Sequence, residues 1–259
     1  MTGRIWWRID WRGAAVPIGF LVIAQLAALN GDLQSDNLAA PSDVAVACWH
    51  AIIDGTLFRR TLETLASALG GLALGGSIGL FSGILFGLFQ TVDRLMNVTV
   101  EAVRPIPSAA VIPVFLLIFG FGFPMEVLIV AFSVTWTMLI LTRAAVAGIE
   151  TRLLEVSRAL GFGFGARVYK IILPAALPRI FVAFRLTVAI ALIVAVTVEV
   201  AANPQGLGYT IMLAEQTLRP DLMFAVLAWI GLIGWALNAV LLWTQRRLFG
   251  MAAIDEPAP

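Results

Sequence analysis

Side chains able to do covalent chemistry are sparse in this chain and widely spaced. There is one histidine, His50, and one cysteine, Cys48. A metal site needs several imidazoles or thiolates at ligand spacing, and an intrachain disulfide needs two cysteines, so neither is expected. The single lysine, Lys170, lies in Tyr169-Lys170-Ile171 and not in a G-x-x-x-x-G-K-[ST] phosphate loop. ATP hydrolysis by that chemistry is excluded, and no catalytic residue is assigned. What stands out is a charged, glycine-punctuated stretch, EVSRALGFGFGARVYKIILP at 155–174, between two apolar runs. Across 150–160 the spacing is helical: Leu153, Val156 and Leu160 share one face, with Glu150, Arg152 and Arg158 elsewhere. Glu155 and Arg158, three apart, are placed to pair. Gly161 is placed as a C-cap, and Gly163 and Gly165 let the chain turn. A second short helix is expected over 166–172, before Pro174 and Pro178. A small amphipathic helix of this kind can lay its apolar face into a groove on another protein. The alternative is a surface linker.

The elements that hold this segment must be membrane helices. The 259 residues are 60% hydrophobic and 13% charged, about half the charge of a soluble domain. A net charge of +1 supplies no basic field for nucleic acid. A helix needs about 20 apolar residues to cross the bilayer. Bounding the uncharged stretches by their charges predicts six spans, at about 14–30, 63–90, 105–122, 125–145, 181–200 and 222–244. The chain reads as one transmembrane domain over 1–259, all-α, with a polar segment at 146–180. Arg143, Arg185 and Glu199 close the shorter spans and are expected to reach the headgroups. Of 17 basic residues, all but Arg59, Arg60 and Arg219 fall on one side of this topology. The positive-inside rule makes that side the cytoplasm, with both termini there. Arg4, Arg8 and Arg12, with Trp7 and Trp11 alongside, suit a retained interfacial helix ahead of the first span; the alternative is a signal peptide, whose cleavage would leave five spans.

Two spans carry internal patterns. Gly71, Gly75, Gly79, Gly83 and Gly87 recur every fourth residue and form one ridge, which permits close helix packing or sliding against a neighbour. Residues 104–124 hold Pro105, Pro107, Pro113 and Pro124. Pro105 and Pro107 forbid regular helix before about 108, and Pro113 removes a hydrogen bond within the span. Such a helix lines a pathway or is a kinked packing helix. Asn203-Pro204-Gln205-Gly206-Leu207-Gly208 has turn chemistry, and 42–60 reads as a surface helix with Asp43 and Asp54 near its ends.

Glu155-x-x-x-Ala159-x-Gly161, followed by Ile172-Leu173-Pro174, resembles the coupling motif of binding-protein-dependent ABC importer permeases. Val156 and Ser157 stand where most members have alanines. Arg104-Pro105-Ile106-Pro107, Ile112-Pro113, Phe119-Gly120, the run 173–178, Glu199 and Gly206-Leu207-Gly208 are similar to the nitrate/sulfonate/taurine branch. The resemblance covers about 60–250 and implies a type I importer permease in the bacterial inner membrane, working as one of two copies. It implies a separate cytoplasmic ATPase dimer that binds ATP and Mg, and an extracytoplasmic binding protein. This chain itself would then hold no cofactor. Leu153, Glu155, Val156, Arg158, Ala159, Leu160 and Gly161 would form the handle for the ATPase. Pro107, Pro113, Phe119, Glu199, Gly206 and Gly208 are the candidates for pathway or gate. For Glu199 an interfacial carboxylate at a helix end is the other reading, and for 203–208 a plain loop. The resemblance implies a small solute, a nitrate, sulfonate, taurine or another small organic solute; a pathway in which no buried acid is expected would not repel an anion. A secondary transporter is the rival class, but it would place ionisable residues mid-membrane and show an internal repeat. A membrane-embedded enzyme would need a nucleophile–base pair that this sequence lacks.

Overall fold

A computed structural model describes residues 11–29 and 38–250. Those residues are helical, with no strand among them. In chain order the helices are α1 (Trp11–Leu29), α2 (Pro41–Ile53), α3 (Thr56–Leu88), α4 (Gln90–Val103), α5 (Ser108–Phe119), α6 (Phe123–Ala147), α7 (Thr151–Ala159), α8 (Phe164–Arg167), α9 (Leu173–Ala201), α10 (Gly206–Gln216) and α11 (Pro220–Phe249). A π-helical turn, Val168–Ile172, joins α8 to α9. The helix expected over 166–172 is therefore not separate: Phe164–Ala201 runs on as one rod of 38 residues. Proline 174 has no N–H for a regular helical bond, and a widened turn just before it removes the conflict with the preceding carbonyls.

The glycine ridge explains how α3 is placed. Each of its five members faces α6, at Val130, Ala131, Thr135, Leu139 and Val146 in turn. A Cβ on Gly79 would lie 2.9 Å from the Cβ of Met138, and one on Gly83 2.6 Å from the Leu139 carbonyl. The two backbones thus touch, and Thr135 Oγ1 donates to the Gly75 carbonyl across the contact (3.1 Å). Packing is the use the ridge serves here. Helix α6 then packs on α9, and α5 lies against both. The core runs through Ile129, Val130 and Val134 of α6 and Ala191, Ala195 and Val198 of α9. Helix α10 fills the angle between α3, α9 and α11, and α2 packs on α11.

Among the described residues four helical stretches are long and apolar enough to cross a membrane: 56–88, 123–147, 164–201 and 220–249. The span expected at 105–122 is shorter than predicted. Helix begins at Ser108, as Pro105 and Pro107 require, and ends at Phe119 after 12 residues, or about 18 Å. It meets α4 at 88°, and the pair can count as one broken span. Charge-free length overstated it, because Gly120 and Gly122 take φ of +70° and +118° and end the helix early. The expected span 14–30 corresponds to α1, whose apolar part, Ala15–Leu29, is short. The surface helix expected over 42–60 is divided by Asp54 and Gly55: α2 stops at Ile53 and α3 starts at Thr56. The interfacial helix expected around Arg4, Trp7 and Arg8 lies outside the described residues.

Candidate functional site

The segment singled out at 151–161 is a two-faced helix, α7. Its inner face is Leu154, which packs toward Ala145, Val146 and Ile172, and Ser157, fully buried, whose Oγ donates to the Leu154 carbonyl at 2.6 Å. Its outer face is Leu153, Val156 and Leu160, which are 41%, 55% and 65% exposed. Three apolar side chains turned outward on a single short helix form an unpartnered patch. The helix ends in a Schellman turn: Phe162 N–H donates to the Ser157 carbonyl and Gly161 N–H to that of Arg158, both at 3.0 Å. Gly161 sits at φ +72°, where a Cβ is disfavoured. The Glu155–Arg158 pair expected from spacing does not form among the described residues; both side chains are exposed.

A second cluster lies at the far end of α3, 24 residues from the part near α7, or about 36 Å. Here α10 begins, and its first three N–H groups are each accepted by a side chain from another helix. Gly206 N–H donates to Glu63 Oε2 (2.9 Å), Leu207 N–H to Thr64 Oγ1 (2.9 Å) and Gly208 N–H to Glu199 Oε2 (2.7 Å). Such groups are otherwise orphans at a helix start, where negative charge is favoured. Asn203 Nδ2 donates to Glu126 Oε2, and Arg60 Nη1 to Glu63 Oε2 at 2.9 Å. The two glycines are needed for Glu199 to fit. A Cβ on Gly206 (φ +81°) would strike its carboxylate, and one on Gly208 would lie 2.7 Å from its Cβ.

These contacts correct one expectation. Glu199 is not an interfacial carboxylate; it is 1% exposed, like Glu126 and Asn203. Its position near a helix end concealed this, because α10 folds back over that end. Arg185 also does not reach outward, since it donates to Gln245 of α11 at 3.1 Å. Arg143 pairs with Asp93 of α4 at 2.9 Å. Glu63, Thr64 and Glu126 were missed, and Asn203 was read only as part of a turn. For Glu126 the signal is an acid in the first turn of an apolar helix; Glu63 and Thr64 lie about two turns into α3 and have no such mark.

The candidates for pathway or gate do not form one site. Glu199, Gly206 and Gly208 belong to the far cluster, beside a cleft of about 540 Å³ lined by Phe121, Tyr209 and Met212. Pro107, just ahead of α5, and Pro113 and Phe119 on it are exposed, as are Val114, Leu117 and Ile118 of the same helix. Among the described residues no three His, Cys, Asp or Glu side chains are grouped to hold a metal.

Several known proteins resemble this chain. The putative aliphatic sulfonates transport permease SsuC of Bacillus subtilis is 29% identical over 93% of this chain and 88% of its own length. The riboflavin transport system permease RibX of Chloroflexus aurantiacus is 31% identical over 87% and 85%. Among solved structures, a chain of the inward-facing MetNI methionine ABC transporter superposes with a TM-score of 0.66 at 23% identity, over 74% of this chain and 95% of that one. That last match bears on the fold, which is the type I importer arrangement. The profile of the binding-protein-dependent transport system inner membrane component matches residues 75–249. The exposed helix between two long spans, the α10 cap and these matches agree: the chain belongs to that family, as a permease subunit of an ABC importer in the bacterial plasma membrane.

Proposed function

We propose that this subunit forms the translocation pathway for a small anion of the sulfonate, taurine or nitrate kind. It is driven by a separate ABC ATPase dimer that grips residues 151–161. Leu153, Val156 and Leu160 enter a groove of the ATPase, Glu155 and Arg158 contact its rim, Ala159 allows close approach, and Gly161 makes the turn back. ATP and Mg belong to that partner. A second copy of this chain completes the pathway, an extracytoplasmic binding protein delivers the solute, and both termini lie in the cytoplasm. The observation that carries the reading is the outward apolar face of α7, whose inner face is anchored under the spans. An anion fits the relative named for aliphatic sulfonates. The riboflavin relative makes a neutral solute the arm to test against.

The test is uptake by vesicles holding the full chain with its ATPase and binding protein. Labelled taurine, an alkanesulfonate, nitrate and riboflavin are offered with and without ATP. ATP-dependent uptake of one of the anions is expected, lost in Leu153→Asp and Val156→Asp although both insert normally. Uptake unchanged in both variants would refute the handle, and uptake of riboflavin alone would refute the anion assignment. A reagent that labels a cysteine placed at Arg152 only from outside the cell would refute the orientation.

A further inference from the structure

At the α7 end of the bundle, a cleft of about 570 Å³ opens between the start of α4, the end of α6, α7 and the foot of the long rod. Four guanidinium groups line it, from Arg94, Arg143, Arg158 and Arg167, against one acid, Asp93. Arg143 is occupied, in an ion pair with Asp93 (Nε to Oδ1, 2.9 Å) and donating from Nη1 to Asn97 Oδ1 at 2.9 Å. Arg167 Nη2 donates to the Phe162 carbonyl at 3.2 Å, but its Nε is buried with no partner. Neither Arg94 nor Arg158 has a carboxylate or carbonyl partner among the described residues. The cleft, open on one side, is therefore lined by three positive charges in excess. Arginines spread over an open cytoplasmic face would satisfy the positive-inside rule equally well. They would not converge on a cavity, and would not bury an unpaired Nε, which costs free energy until an acceptor arrives.

We propose that this cleft binds a phosphate group. A tetrahedral oxyanion presents acceptors to several planar guanidinium forks at once, the geometry in which arginine exceeds lysine. The group comes from free phosphate or from an anionic lipid headgroup, whose chain would lie along Phe86, Leu88 and Phe164 at the rim. Bound there, it ties Arg94 of α4 to Arg167 of the rod, and so stiffens the seat of α7. The proposal stands independently of the solute that is carried.

The experiment uses the purified full-length permease and its intrinsic tryptophan fluorescence on heating. Sodium phosphate is titrated against sodium chloride at equal ionic strength, and nanodiscs of phosphatidylcholine are compared with and without phosphatidylglycerol. Expected is a saturable rise in melting temperature with phosphate beyond that with chloride, or with phosphatidylglycerol. The first outcome identifies free phosphate and the second a headgroup. Arg94→Gln, at an exposed side chain, is expected to melt as the wild type does in chloride and to weaken the response about tenfold, or 1.4 kcal/mol. Arg94→Gln with Arg167→Gln is expected to abolish it. Equal effects of phosphate and chloride with none of phosphatidylglycerol, or variants that respond like the wild type, would overturn the proposal.

Discussion

The contact between α3 and α6 gives a sharp test, because neighbouring glycines on α3 have opposite surroundings. At Gly75 an added Cβ would lie 2.6 Å from the Ala131 Cα and 2.7 Å from its carbonyl carbon. Both atoms are backbone, so no side chain can swing away. Restoring an ordinary carbon–carbon separation of about 3.5 Å requires the helices to part by about 1 Å. That parting also opens the contacts at Gly71, Gly79, Gly83 and Gly87. Overpacking of this kind costs about 1–3 kcal/mol, offset by about 1 kcal/mol because alanine is the better helix former. At Gly76 the nearest atom is Leu72 Cδ1, a flexible tip at 3.6 Å, so Gly76→Ala keeps the propensity gain without the clash. The two variants should therefore differ by about 2 kcal/mol, with Gly75→Ala the less stable. Unfolding of the purified chain in mixed micelles by titration with dodecyl sulfate, followed by tryptophan fluorescence, measures the difference. If Gly75→Ala matched or exceeded Gly76→Ala in midpoint, the ridge would not be the seam described.

Other outcomes follow from the same contacts. Gly161→Ala meets no steric obstacle within 4 Å but must hold φ +72°, at about 1 kcal/mol. It should lower ATP-driven uptake while Gly161→Asn, which tolerates that conformation, retains it. Glu199→Ala leaves the Gly208 N–H unsatisfied and should destabilise the fold by about 1–3 kcal/mol, whereas Glu199→Gln, which still offers an oxygen acceptor, should lose less in the same titration. Asp93→Asn breaks a partly exposed ion pair with Arg143 and should cost only about 0.5–1 kcal/mol, read as a small shift of the midpoint. Thr64→Val, which loses the acceptor for Leu207 N–H with little change of shape, should raise hydrogen exchange at the start of α10 more than at α9.

Local signals in the sequence were reliable where one residue type has one physical consequence. Pro105 and Pro107 marked the start of α5, Gly161 marked the end of α7, and the fourfold glycine spacing marked a packing face. Each of these depends on the chain within one or two turns. Charge-free length was less reliable. It overstated 105–122, where two positive-φ glycines cut the helix, and understated the rod 164–201, where Arg167, Lys170, Arg179 and Arg185 hid a continuous helix. Least legible were the contacts between distant segments. Glu63 and Gly206 lie 143 positions apart, and Glu126 and Asn203 lie 77 apart. Nothing in the local pattern around Glu199 says that α10 will cover it.

The rod from Phe164 to Ala201 has a mechanical consequence. Its 38 residues amount to a stick of about 57 Å, with its foot just past the Schellman turn and its head at Glu199. A tilt of about 5° at the foot swings the head sideways by about 5 Å, close to the rise of one helical turn. Such a lever would convert a slight rocking at one surface into a larger displacement at the other.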